Sequence, residues 1–292
     1  MKKPFISGFT IVRNAVKFDY PIVESIRSIL PMVDEFVVSV GNSEDNTLEL
    51  IQAIDSPKIR IVQSVWDDSL REGGRVLAVE TDRAYKHISA EADWCFYLQA
   101  DEVVHEQYHP AILKACETYL ADKRIEGLLF GYKHFYGSYD YIGDSRKWYR
   151  TEIRIVRHDP GITSFRDAQG FRLHNRLMRV KPIDAFIYHY GWVKDPRSQQ
   201  AKQEQFHKMW HDDDWMEKNV AKADAYDYSL VDSLNRFEGT HPAVMEDRLK
   251  RMHWTFEYDL SKKKFDFKNW LLYLIERLTG KRLFEYKNYK EI

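Results

Sequence analysis

The chain has 292 residues, room for two ordinary domains or one large α/β domain. Its 44 Lys and Arg against 45 Asp and Glu leave a charge of −1, without the basic excess of a nucleic-acid binder, and its 44% apolar content excludes a disordered chain. Cys95 and Cys116 can form neither a disulfide framework nor a four-cysteine zinc site, and their apolar surroundings suggest buried free thiols in a reducing compartment. No stretch reaches the ~18 apolar residues of a membrane span. Residues 1–12 imitate a signal peptide, but Arg13 ends the apolar run and no small-residue cleavage site follows. The expectation is the first strand of a cytoplasmic protein.

Residues 5–12 read as that strand. Pro21 opens a helix, where its missing N–H costs nothing, with Ile22, Ile26 and Ile29 as its stripe and Pro31 as its stop. Residues 35–40 form a buried strand, and Asn42 and Ser43 are N-caps for a helix carrying Leu48, Ile51 and Ile54. Residues 58–65 form a third strand. Gly73-Gly74 leads to a helix with Leu77, Thr81, Ala84 and Ile88 on one side, and residues 93–98 form a fourth strand. His109-Pro110 then starts a helix with Ile112, Leu113, Cys116 and Leu120 on one face. This alternation predicts a parallel sheet covered on both faces, which binds ligands beyond the C-terminal ends of its strands.

From residue 127 strand-like runs dominate, at 128–136, 152–156 and 186–190, and suggest a mixed sheet region. Residues 198–219 read as one helical segment, and the last ~50 residues as one or two more helices. The simplest organisation is a body over residues 1–195, split near 105, with a helical extension over 196–292.

The most informative segment is Trp94-Cys95-Phe96-Tyr97-Leu98-Gln99-Ala100-Asp101-Glu102, a buried strand ending in acids on the ligand side. A carboxylate there can hold a divalent cation against a pyrophosphate. The bland alternative is a solvated turn. No Gly-x-Gly-x-x-Gly and no Walker A motif is present.

Four segments resemble the family 2 glycosyltransferases of the GT-A fold. They are Phe9-Thr10-Ile11-Val12-Arg13-Asn14, Asn42-Ser43-Glu44-Asp45-Asn46-Thr47, Arg71-Glu72-Gly73-Gly74-Arg75, and Gln99-Ala100-Asp101-Glu102 in the place of Asp-x-Asp. The resemblance covers residues 5 to about 105 well and 125–192 loosely. It implies an α/β GT-A fold, with a mostly parallel twisted sheet flanked by helices and a helical C-terminal extension. It also implies an inverting, metal-dependent enzyme that moves a sugar from a nucleotide-sugar donor to a glycan or other hydroxyl acceptor, such as a cell-surface polysaccharide or lipopolysaccharide.

By the same resemblance Asp101 holds Mg²⁺ or Mn²⁺, with His189 as a second ligand that tilts the choice toward Mn²⁺. Arg13, Asn14, Asp45, Arg75 and Gln99 contact the donor. Where the family often places acids that grip the base, this chain has Val40 and Gly41. Asp167 is the expected general base, with Glu152 and Asp159 as rivals. Core packing is the competing reading of His189, and a surface pair with Arg166 or Arg172 that of Asp167.

Asp212-Asp213-Asp214 reads as a solvated turn, and His207 with His211 lacks a third local ligand for zinc. Tyr132, Phe135, Tyr136, Tyr139 and Tyr141 read as core, with stacking on sugar rings a secondary role. A non-catalytic scaffold on the same fold and a nucleotidyltransferase are the alternatives weighed. In the tail, Trp270, Leu271, Leu274, Ile275 and Leu278 share one helix face, with Gly280 as C-cap. Residues 262–292 hold nine Lys or Arg against four Asp or Glu. This stripe either docks on the body or a second copy, the favoured expectation, or lies on an anionic membrane.

Overall fold

The computed structural model describes residues 3–70, 72–211, 213–219 and 223–292. Its first half follows the sequence rhythm: β1 (Ile6–Val12), α1 (Ile22–Ile29), β2 (Glu35–Val40), α2 (Thr47–Gln52), β3 (Ile59–Gln63), α3 (Arg75–Tyr85), β4 (Trp94–Tyr97), β5 (Glu102–Val104) and α4 (His109–Thr118). β4, β1, β2 and β3 lie side by side and run parallel. Every residue of β1 is buried, because helices cover both faces.

Alternate strand residues serve two cores. Ile6, Phe36, Val38, Trp94 and Phe96 pack with Ile22, Ile26 and Ile29 of α1. Phe9, Val37, Cys95 and Tyr97 pack with Val76, Ala84 and Tyr85 of α3. Cys95 and Cys116 are buried free thiols as expected, and burial pushes the Cys116 thiol up to about 12.

The second half adds β6 (Gly127–Tyr136), β7 (Ser138–Gly143), β8 (Thr151–Arg157), β9 (Ile162–Phe165), β10 (Gly170–Leu173), β11 (Arg176–Leu177) and β12 (Arg179–Trp192). β8 joins β4 antiparallel and carries the sheet onward to β6 and β7. β12 pairs parallel with β6 and antiparallel with β5, which brings residue 189 beside residue 102.

The remaining elements are α5 (Pro196–Lys208), α6 (Asp213–Asn219), β13 (Leu234–Arg236), α7 (Glu246–Arg251), α8 (Phe267–Thr279) and β14 (Lys290–Glu291). The single helical segment expected at 198–219 is two helices, α5 stopping at Lys208. Of the acidic run, Asp212 lies outside the described residues. β13 pairs with β7 and β14 with β12, so the extension returns to the sheet twice.

The tail stripe does not cover the body. Trp270, Leu271 and Leu278 are 48%, 43% and 76% exposed, while Tyr273 and Glu276 face inward. Among the described residues, no helix is long and apolar enough to cross a membrane.

Candidate active site

A cavity of about 470 Å³ opens beyond the C-terminal ends of β1 and β4, where an open α/β sheet binds ligands. Arg13 and Asn14 enter it after β1, Gln99 and Asp101 after β4, Asp167 from the β9–β10 loop, His189 from β12 and Lys202 from α5.

The turn carrying Asp101 is fixed from below. Glu102 is fully buried and accepts two bonds from Arg154, each 2.8 Å, and one of 2.7 Å from the Tyr132 hydroxyl. It also accepts the Gln99 backbone N–H at 3.1 Å, and the Tyr190 N–H closes the turn onto the Asp101 carbonyl at 2.8 Å. A bidentate buried pair of this kind has one geometry, so Asp101 projects from a rigid base. Glu102, the last acid of the motif, therefore holds the turn and does not face the cavity.

Hydrogen bonds set the tautomer of His189. His134 Nε2 lies 2.8 Å from the Tyr149 carbonyl, an acceptor, so that nitrogen carries the proton. Burial holds the His134 pKa well below the usual imidazole value, so the ring is neutral and its Nδ1 accepts. The 3.0 Å contact between the two Nδ1 atoms is then a donation from His189. The other His189 nitrogen, Nε2, which carries a lone pair in the neutral ring, faces Asp101 Oδ1, 3.7 Å away and beyond hydrogen-bond reach. A lone pair and a carboxylate oxygen facing one another suit a shared cation.

The glycine beside them keeps the space open. A Cβ at Gly191 would stand 2.6 Å from His189 Nε2 and 2.7 Å from Asp101 Oδ2. Lys202 Nζ binds that Oδ2 at 3.1 Å and the Gly191 carbonyl at 2.8 Å, leaving Oδ1 to face His189. Burial alone would raise the Asp101 pKa, but the Lys202 ammonium holds it well below the usual carboxylate range. Asp101 is thus a charged carboxylate on the cavity wall and also the partner of a lysine.

Among the described residues, no third His, Cys, Asp or Glu completes an all-protein metal site. One carboxylate and one imidazole fit an ion that takes its remaining ligands from a phosphate and water. Gly191→Ala is expected to weaken Mn²⁺ binding by at least ~10-fold, because the new methyl crowds both ligands. An unchanged Mn²⁺ titration, followed by electron paramagnetic resonance, would refute that.

Arg13, Asn14, Gln99, Asp101, Asp167 and His189 line one cavity, and Asp45 and Arg75 do not. Asp45 accepts the Lys17 N–H at 2.7 Å and the Thr47 N–H at 3.0 Å, so it holds the turn that leads into α2. Arg75 opens α3 with its side chain exposed. Arg71 lies outside the described residues. Tyr132, Phe135, Tyr136, Tyr139 and Tyr141 are all at most 9% exposed, which makes them core and removes them as sugar platforms.

Asp167 packs over Gly74, where a Cβ would stand 2.9 Å from its own Cβ, and burial raises its pKa. Its rivals stand outside the cavity wall. Asp159 accepts the Gly161 N–H at 2.8 Å. Glu152 is buried, accepts from Gln169 at 3.1 Å, and burial pushes its pKa up to about 7 from an ordinary 4.5.

The raised Glu152 pKa means that the folded state binds this proton more tightly than the unfolded chain. Stability is therefore fully present below the unfolded value and is lost as pH rises through about 7. Glu152→Gln should remove roughly 2–4 kcal/mol of that pH dependence, read from denaturant melts at pH 5 and pH 8.

Sequence reading missed four residues. Lys202 and Phe206 sit in a polar helical stretch that carries no motif, and His134 lies inside an apolar strand. Trp66 backs Gly41 and takes the Arg13 guanidinium over its ring at 5.8 Å. The Trp66 Nε1 and Arg13 Nε groups are buried donors without a partner among the described residues. An indole donor therefore stands beside Gly41.

No known family model matches the chain, and no curated protein matches it. Several solved structures are similar. S. aureus TarS is 14% identical, over 69% of this chain and 39% of that one, with a TM-score of 0.38. The mannosyltransferase PcManGT from Pyrobaculum calidifontis, in complex with GDP-Man and Mn²⁺, is 18% identical over 44% and 35%, with a TM-score of 0.33. Glucosyl-3-phosphoglycerate synthase from Mycobacterium tuberculosis, in complex with Mn²⁺, UDP and phosphoglyceric acid, is 23% identical over 46% and 43%, with a TM-score of 0.29. The chain spans under half the length of each. Likenesses this faint leave the chain's own residues to carry the functional reading.

Proposed function

We propose that this chain is a GT-A glycosyltransferase of the family 2 type. It transfers a sugar, with inversion, from a nucleoside-diphosphate donor to a hydroxyl acceptor on a glycan or similar molecule. The observation that carries the reading is the facing pair of Asp101 Oδ1 and the His189 Nε2 lone pair, 3.7 Å apart on the wall of the cavity. A divalent cation held there would supply Lewis-acid stabilisation of the departing diphosphate.

The chain's own residues account for the remaining requirements. The unpartnered donors of Arg13 and Trp66 suit oxygen acceptors of a nucleotide, and Ile11, Val12 and Leu77 offer apolar wall to its base. Lys202, paired with Asp101 at 3.1 Å, and Arg13, paired with Asp68 at 2.6 Å, bring two positive groups to the cavity, where a diphosphate would compete for them. Asp167 accepts the proton of the acceptor hydroxyl. The acceptor oxygen then bonds the anomeric carbon as the bond from that carbon to the phosphate oxygen breaks, and the electron pair leaves with the nucleoside diphosphate.

The test is release of nucleoside diphosphate from a panel of nucleotide sugars in the presence of Mn²⁺. One donor should be hydrolysed slowly, and faster once a sugar acceptor is added. Absence of release from every donor would favour a scaffold on the same fold.

A further inference from the structure

Helix α8 is mounted with its polar side inward. Glu276 pairs with Arg146 at 2.9 Å, Arg150 at 3.3 Å and Arg282 at 3.6 Å. One turn earlier, the Tyr273 hydroxyl donates to Asp144 at 2.6 Å. Residues advance about 100° each along a helix, so Phe267, Trp270, Leu271, Leu274 and Leu278 share a sector roughly 100° wide, opposite Glu276. None of the five is covered, and their exposures run from 38% to 80%.

The surface continues past the helix. Asp266 caps the start of α8 and Gly280, at φ 68°, ends it. Phe284 then adopts a φ of 58°, uncommon for a bulky residue, and is 90% exposed, with Tyr286 60% exposed nearby in sequence. A run of large apolar side chains presented outward by ion pairs on the opposite side is a surface built to be covered.

Charge identifies the cover. Of the four acids in residues 262–292, Glu276 and Glu285 pair with Arg282, Glu291 pairs with Lys287, and Asp266 is the helix cap. Lys268 and Arg277 border the apolar sector and Lys281 follows it; Lys268 acts on the capping Asp266, Arg277 lies 5.8 Å over the Tyr273 ring, and Arg277 and Lys281 form no ion pair among the described residues. A symmetric contact with a second copy would bring these cations against themselves. An anionic bilayer supplies both an apolar interior and negative headgroups.

We propose that α8 and the turn after it form a docking surface for an anionic phospholipid membrane, lying in the interface with the cavity body outside. This inference does not depend on the transfer chemistry. Full-length protein should sediment with vesicles of mixed phosphatidylglycerol and phosphatidylcholine, and not with phosphatidylcholine alone. Binding should fall roughly tenfold when salt shortens the Debye length to ~3 Å.

The double substitution Leu271→Glu with Leu278→Glu should weaken vesicle binding at least ~10-fold with an unchanged melting curve, since both side chains are exposed. Failure of the unsubstituted protein to bind anionic vesicles would overturn the proposal. So would a dimer that the same two substitutions dissociate in sedimentation velocity, because the face would then be a contact between copies.

Discussion

Replacing Asp101 by Asn is expected to weaken Mn²⁺-dependent nucleoside diphosphate binding at least ~100-fold while the protein stays folded. The carboxylate is ionised in the native state because the Lys202 ammonium outweighs the effect of burial. Asn keeps the shape and one acceptor oxygen, and Lys202 retains the Gly191 carbonyl at 2.8 Å. Ala is the poorer test. It strands the Lys202 ammonium beside the cavity and adds about 1–3 kcal/mol of instability that has nothing to do with the metal. Calorimetry gives the affinity and a thermal melt gives the fold. Wild-type affinity in the Asn variant would remove Asp101 from the metal site.

Replacing Asp167 by Asn is expected to slow transfer by ~10²- to 10⁴-fold with donor binding intact. Asp167 lines the cavity that Asp101 lines, and neither Glu152 nor Asp159 does. Burial raises its pKa, which brings a carboxylate closer to the proton affinity a base needs. A base acts when deprotonated, so the wild-type rate should fall as pH drops through that raised value. The Asn variant should lose this acid limb. Equal loss of donor affinity would instead place Asp167 in the donor pocket.

The first half of the fold was legible because its strands are buried on both faces. Residues 6–12, 35–40 and 94–97 read as apolar runs, and the helices between them keep a helical stripe. Several of the unread strands are short, although β7 has six residues. β11 and β14 have two residues each, and only their partners, β10 and β12, make them strands. Capping was misread by a few residues. Asn42 and Ser43 were expected to start α2, but the Asp45 carboxylate takes the Thr47 N–H and moves the start onward.

Within the site, residues next to strand ends were legible and residues delivered from afar were not. Asp101 follows the end of β4 and His189 lies within β12, while Lys202 reaches Asp101 only because α5 folds over the cavity. His134 acts through one hydrogen bond to His189, which strand periodicity does not encode. In α8 the apolar stripe was plain in the sequence. Which side would face the body was not, because the deciding contacts come from Arg146 and Arg150, more than a hundred residues away.

The most direct test of the account is calorimetric titration of the full chain with UDP, GDP and CDP, each with Mn²⁺ and again with EDTA. The account predicts that at least one of them binds with Mn²⁺ and loses at least ~10-fold in affinity when the ion is removed. Absence of binding by all three in both conditions would contradict it.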